Sequence, residues 1–145
     1  MKKFLALILA LVMALSLVAC GGGDNNTNGD NGDDANTEGK KVKVGFITLH
    51  DENSTYDLNF INGAKEAIAA LGLTEDDYIL KTNVPEGQEC YEAAMDMVDA
   101  GCNIIFADSF GHEPYMIQAA QENPDVQFCH STGTRAHTEG LANYH

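Results

Sequence analysis

Three short stretches of this chain carry most of the residues able to do chemistry. His50, Asp51, Asn53, Ser54, Tyr56 and Asp57 crowd the first, Asp108, Ser109, Phe110, Gly111 and His112 the second, and His130, Ser131, Thr132 and Gly133 the third. They offer imidazoles, carboxylates, hydroxyls and an amide, with Tyr56 and Phe110 as flat aromatic faces. Such groups can coordinate a metal, catalyse by acid–base or nucleophilic attack, or hydrogen-bond a polar solute. The spacing favours the solute. His50, His112 and His130 show no i, i+4 pairing of the helical zinc type, so no metal site is expected. No Gly-x-Ser-x-Gly turn presents a nucleophilic serine. No Gly-x-Gly-x-x-Gly turn follows the first apolar run, where a dinucleotide would need one. The chain is therefore read as a non-enzyme without a cofactor. An anchored hydrolase using His50, His112 or His130 is the weaker alternative.

The elements that must hold these stretches alternate in period. Val42 to Thr48 is an apolar run with one lysine, the pattern of a strand buried on both faces. Ser54-Thr55-Tyr56-Asp57 follows as a capping box, and Phe60, Ile61, Ala64, Ala67, Ile68 and Leu71 recur at helical spacing until Gly72. Tyr78 to Thr82 predicts a second strand. Cys90, Ala94, Met97, Val98 and Gly101 mark a second helix, and Asn103 to Ala107 a third strand. A third helix begins near Pro114 and ends before Asn123-Pro124, and Val126 to Cys129 predicts a fourth strand. This βαβαβαβ order implies an α/β fold, a three-layer doubly wound parallel sheet covered on both sides. Ligands of such sheets bind at the carboxyl ends of the strands, where the three polar stretches fall. Cys90 and Cys102 lie at opposite ends of one helix, roughly 18 Å apart. Cys129 ends the fourth strand, so three free and mostly buried thiols are expected.

The first 39 residues have another character. Met1-Lys2-Lys3 is basic, and Phe4 to Val18 is uncharged, about 15 residues against the roughly 20 of a membrane span. That is the layout of a signal peptide. Leu17-Val18-Ala19-Cys20 resembles the lipobox of bacterial lipoproteins, in which the cysteine thiol takes a diacylglyceryl group and becomes the amino terminus after cleavage. The expected division is 1–19 as signal peptide, 20–39 as lipidated Cys20 and tether, and 40–145 as one folded lobe. The tether, almost all Gly, Asn, Asp and Thr, cannot bury enough apolar surface to offset its chain entropy. Its Asp30-Asn31-Gly32-Asp33-Asp34 lacks the spaced ligands of a calcium loop. The formal net charge of −14, from 8 Lys and Arg against 22 Asp and Glu, argues against nucleic acid as a partner.

A family resemblance joins these parts. Val44-Gly45-Phe46-Ile47, Ser54-Thr55-Tyr56-Asp57 with Gly63, Asn83-Val84-Pro85-Glu86-Gly87, Ile104 to Gly111 and Pro124 to Gly133 together resemble the basic membrane protein family. These are lipid-anchored solute-binding proteins of ABC transporters, with purine and nucleoside binders as the best-known members. The resemblance implies a periplasmic-binding-protein-like fold of type I, an address on the outer face of the cell membrane, and a small planar polar solute. It implies an ABC permease as partner and a monomer as the working state. Ligand contacts are expected from His50, Asp51, Asn53, Ser54, Tyr56, Asp57, Asp108, Ser109, Phe110, Gly111, Thr132 and Gly133. Tyr56 falls where the family stacks an aromatic ring on its ligand, while Asp57 stands where nucleoside binders usually carry Asn. The acid those binders place just after the first strand has no clear counterpart, and His50 or Asp51 would substitute. Family members clamp the ligand between two lobes, so the chain is expected to be the N-terminal lobe alone. A sugar or autoinducer receptor, or a sensory lipoprotein of the same fold, remains the alternative.

Overall fold

The computed structural model describes residues 41–136 and 139–145. The expected signal peptide, the expected lipidation site at Cys20 and the expected tether lie outside the described residues.

The chain runs β1 (Val44–Ile47), α1 (Thr55–Ala70), β2 (Tyr78–Lys81), α2 (Gln88–Asp99), β3 (Ile104–Ala107), a 3-10 turn (Phe110–His112), α3 (Glu113–Glu122) and β4 (Gln127–His130). The expected alternation is present, with β1, β2 and β3 shorter than their expected runs and β4 shifted one residue later. The sheet order is β2-β1-β3-β4 and every neighbour is parallel, with Val44 level with Tyr78 and Ile104, and Ile104 level with Gln127.

That order sets the layers. The chain leaves β1 in one direction to form β2, then returns past β1 to β3 and β4. Right-handed crossovers place α1 on one face and both α2 and α3 on the other. Side chains alternate accordingly. Ile47, Ile105, Ala107 and Phe128 join Cys90, Ala94, Met97, Met116, Ile117 and Ala120 in a closed core under α2 and α3. Val44, Phe46, Leu80, Ile104 and Phe106 face α1. Four strands span roughly 14 Å between outer axes, and one helix is only about 10 Å wide. Among the described residues, α1 alone therefore cannot cover its face. A trough of about 590 Å³ remains between α1 and the sheet, lined by Val44, Phe46, Phe60, Ala64, Leu80 and Phe106.

The apolar stripe of α1 is correspondingly only half used. Ile61 and Ala64 are buried, whereas Leu71 is 70 % exposed. The expectation of a sheet covered on both sides is thus met fully on one face and in part on the other. Gly72 ends the helix as read, with φ of +65°, a conformation open to glycine without strain.

One feature escaped the sequence reading. Asn143 to His145 lies beside β4 in parallel pairing: Phe128 N–H donates to Asn143 O at 2.8 Å, and His145 N–H donates to Phe128 O at 2.9 Å. Tyr144 is 1 % exposed and joins the core, and Asn143 Nδ2 donates to Ala120 O, Asn123 O and Val126 O, closing the end of α3.

Candidate functional site

β1 and β3 are adjacent, but the chain leaves them toward opposite faces, so their carboxyl ends open a crevice. The three polar stretches meet there. Tyr56 Oη donates to the Asp108 carbonyl at 3.0 Å and Thr132 Oγ1 donates to the same oxygen at 3.1 Å. One carbonyl at the end of β3 thus joins the start of α1 to the loop after β4. Ser131 Oγ adds a bond to Ala107 O at 3.1 Å.

Beneath this seam lie two acids. Ser54 is the N-cap of α1, and its hydroxyl accepts from Asp57 N–H. The expected capping box closes differently, because the Asp57 carboxylate does not return to the Ser54 amide. Ser54 N–H already donates to Asp51 O, and Asp57 Oδ1 instead accepts from His50 N–H at 2.9 Å. Asp57 Oδ2 accepts from Ser54 Oγ at 2.5 Å and meets His50 Nδ1 at 3.2 Å. Burial pushes the Asp57 carboxyl up, but these donors outweigh it and hold the group at about 2. Asp108 lies against it with one donor, Leu49 N–H, at 3.2 Å from Oδ1. Burial and the neighbouring Asp57 charge raise Asp108 to about 7.

A second set of bonds shapes the loop after β3. Glu86 Oε1 accepts from Ser109 Oγ and from Gly111 N–H, and these donors keep Glu86 below its usual range. His130 Nε2–H donates to Ser109 O at 2.6 Å, while its Nδ1 accepts from Thr132 N–H at 3.3 Å, which fixes a neutral ring. His112 is fully buried, with Nε2–H on Val84 O at 2.9 Å. Burial lowers the pKa of both rings.

The loop after β4 is clamped from below. Glu113, 3 % exposed, accepts from Thr134 N–H at 2.6 Å and Arg135 N–H at 2.7 Å through one oxygen. Gly133 passes so close that a Cβ would stand 2.8 Å from Glu113 Oε1, 2.8 Å from His130 Nδ1 and 3.1 Å from Tyr144 Oη.

The residues singled out in the sequence therefore separate into two layers. Asp57, Asp108 and Ser109 are buried and hold the crevice together, and Ser54 serves as a cap. Tyr56, 46 % exposed, and Phe110, 64 % exposed, present rings to solvent above them. Gly111 and Thr132 are half-buried between. His50 and Asn53 are exposed and Asp51 half-buried, with Asp51 accepting from Asn53 N–H and Nδ2 and kept low by those bonds. Glu86 and Glu113 went unread in the sequence. Glu86 lies within the quoted Asn83-Val84-Pro85-Glu86-Gly87 stretch and Glu113 between His112 and Pro114, but the partners of each come from distant loops. Among the described residues no group of three or more His, Cys, Asp or Glu side chains is placed to hold a metal ion. Cys90 and Cys102 are buried and Cys129 half-buried, all free; burial pushes Cys90 up to about 12.

With this geometry in hand, comparison with known proteins is informative. No family model matches the chain. A purine-binding protein of Brucella abortus (strain 2308) is 35 % identical over 97 residues, 65 % of this chain and 27 % of that protein. A solved transcriptional activator of the comK gene from Bacillus halodurans superposes with a TM-score of 0.54 at 23 % identity, covering 63 % of this chain and 30 % of the other. A solute-binding protein of an ABC transporter system from Conexibacter woesei gives a TM-score of 0.52 at 19 % identity, covering 61 % of this chain and 28 % of the other. The two structures share the fold of this chain, a parallel sheet flanked by helices. The chain spans less than a third of each relative's length.

Proposed function

We propose that this chain carries the solute-capturing lobe of a lipid-anchored receptor outside the cytoplasm, one that delivers a small planar polar solute, a purine base or nucleoside, to an ABC permease. The observation that carries this reading is the crevice at the ends of β1 and β3, where exposed Tyr56 and Phe110 rings stand over a hydrogen-bonding floor. Flat rings and convergent polar groups suit a heterocycle. The similarity to a purine-binding protein adds support, as does the lipobox-like segment ending at Cys20.

Binding fits the site better than catalysis. Ser109 Oγ donates to Glu86, and His130 directs its N–H at a carbonyl rather than offering a bare nitrogen to a hydroxyl. A serine nucleophile needs the reverse arrangement.

Calorimetry on the intact chain with adenine, guanine, adenosine and a pyranose sugar tests the reading. A purine ligand should bind in preference to the sugar, and Tyr56→Ala or Phe110→Ala should each weaken it by about tenfold, the loss of one stacked ring with its burial. Preference for the pyranose, or purine binding indifferent to both substitutions, would overturn it.

A further inference from the structure

We propose that Asp57 and Asp108 form a carboxyl pair sharing a single proton, carried by Asp108, and that this pair is a pH-sensitive latch closing the start of α1 onto the end of β3. The geometry is asymmetric. Asp57 is 1 % exposed and meets three donor groups, the His50 amide, the Ser54 hydroxyl and the His50 ring, so its carboxylate is fully served as an anion. Asp108 is 2 % exposed and receives the Leu49 amide on Oδ1 alone, while Oδ2 is buried with no hydrogen-bond donor among the described residues. The consecutive Leu49 and His50 amides donate one to each carboxyl, so the two buried acids share one site, and two carboxylates sharing a site do not readily both ionise. A proton on Asp108 turns the orphaned oxygen into a donor and the repulsion into a hydrogen bond, and Asp57, already anionic, is the natural acceptor.

The charged groups around the pair leave this proton in place. The titratable neighbours are Asp57 from α1 and His50 from the loop after β1, with Glu86, His112 and His130 beyond them, and burial lowers the pKa of both His112 and His130. What the latch holds is the rim itself, because Tyr56 hangs from the Asp108 carbonyl and the Leu49–His50 amides donate into the pair. Losing the proton places a second charge under Tyr56.

The sign follows from the two shifts. Asp108 is raised in the fold, so between the ordinary carboxylate range and about 7 the folded chain binds more protons than the unfolded chain, and stability falls as pH rises. Asp57 is lowered, so its contribution is present above the ordinary range and is lost as pH falls toward about 2. The lowered histidines act with opposite sign to Asp108 below their ordinary value, so a difference against a variant is needed.

Asp108→Asn supplies it, since an amide imitates the protonated acid, accepting from Leu49 and donating to Asp57. Urea unfolding of both chains between pH 5 and pH 8 should show the folded-to-unfolded ratio of the variant rising at least about tenfold relative to wild type across that range. A difference that stays flat with pH would overturn the latch. If the variant does not fold, carbon-detected NMR of the wild-type side chain decides instead: Asp108 should titrate with a midpoint above 6, the Leu49 and His50 amides moving with it, and a midpoint below 5 would overturn it. Neither measurement involves a solute, so the latch can fail while the receptor reading stands, and the reverse.

Discussion

On the face of the sheet under α2 and α3, Ile47 is 1 % exposed and Ile105 and Phe128 are fully buried; on the face under α1, Phe106 is 38 % exposed and Val42 52 %. The same sheet, with Val42 just ahead of β1, supplies both sets of side chains. The difference comes from topology, because two crossovers return over one face and one over the other. A closed layer converts apolar area into stability. A half-covered one keeps an apolar surface in water, and the stacked Phe46 and Phe106 rings, centroids 5.6 Å apart, form the floor of that surface. The apolar hollow is therefore a gap between layers, with the polar crevice at its upper end, where Asp108 and Ser131 complete the lining.

The largest expected effect separates the faces by stability. Phe128→Ala empties a closed layer and should cost about 3–5 kcal/mol, whereas Phe106→Ala, already in part hydrated, should cost about 1–2 kcal/mol. Urea unfolding at one pH compares them, and equal losses would break the distinction. A smaller effect is read at two glycines. A Cβ on Gly45 would stand 2.5 Å from Met97 Sδ and 3.2 Å from Ile105 Cγ1 in the closed layer, while one on Gly63 in α1 meets nothing within 4 Å. Gly45→Ala should destabilise by about 1–3 kcal/mol, and Gly63→Ala should stabilise by about 0.5–1 kcal/mol through its better helix propensity. The smallest effect is kinetic. Cys129 alternates with buried Phe128 and is level with Phe106, on the half-covered face, while Cys90 and Cys102 are enclosed. Mass mapping of the native chain with a thiol reagent should find Cys129 modified before Cys90 and Cys102, and the opposite order would blur the contrast.

These faces also show what the sequence could carry. Apolar runs located β1 and β3, helical spacing located α1 and α2, and alternation alone implied parallel order, because each signal is local and repeats along the chain. Periodicity marks a stripe without naming what covers it, so Leu71 reads as core and stands in water. The site followed the same division. Its loops were legible as three polar stretches, and Tyr56 and Phe110 as rings. Asp57 and Asp108 read as ligand-facing acids but lie under the rim, since burial is decided by Leu49, His50 and Tyr56 closing over them. Tyr144 gave no signal, because its strand exists only through pairing with Phe128.

Gly133 has a consequence for anyone randomising this protein. The groups a side chain would strike are each committed: Glu113 to two amides, His130 to Ser109, Tyr144 to the core. None can swing aside without releasing the loop that carries Thr132 to the rim. A codon library at position 133, sorted only for chains that fold, should return glycine almost alone, while its neighbour Thr134, exposed and bonded through its backbone, should accept a wide alphabet.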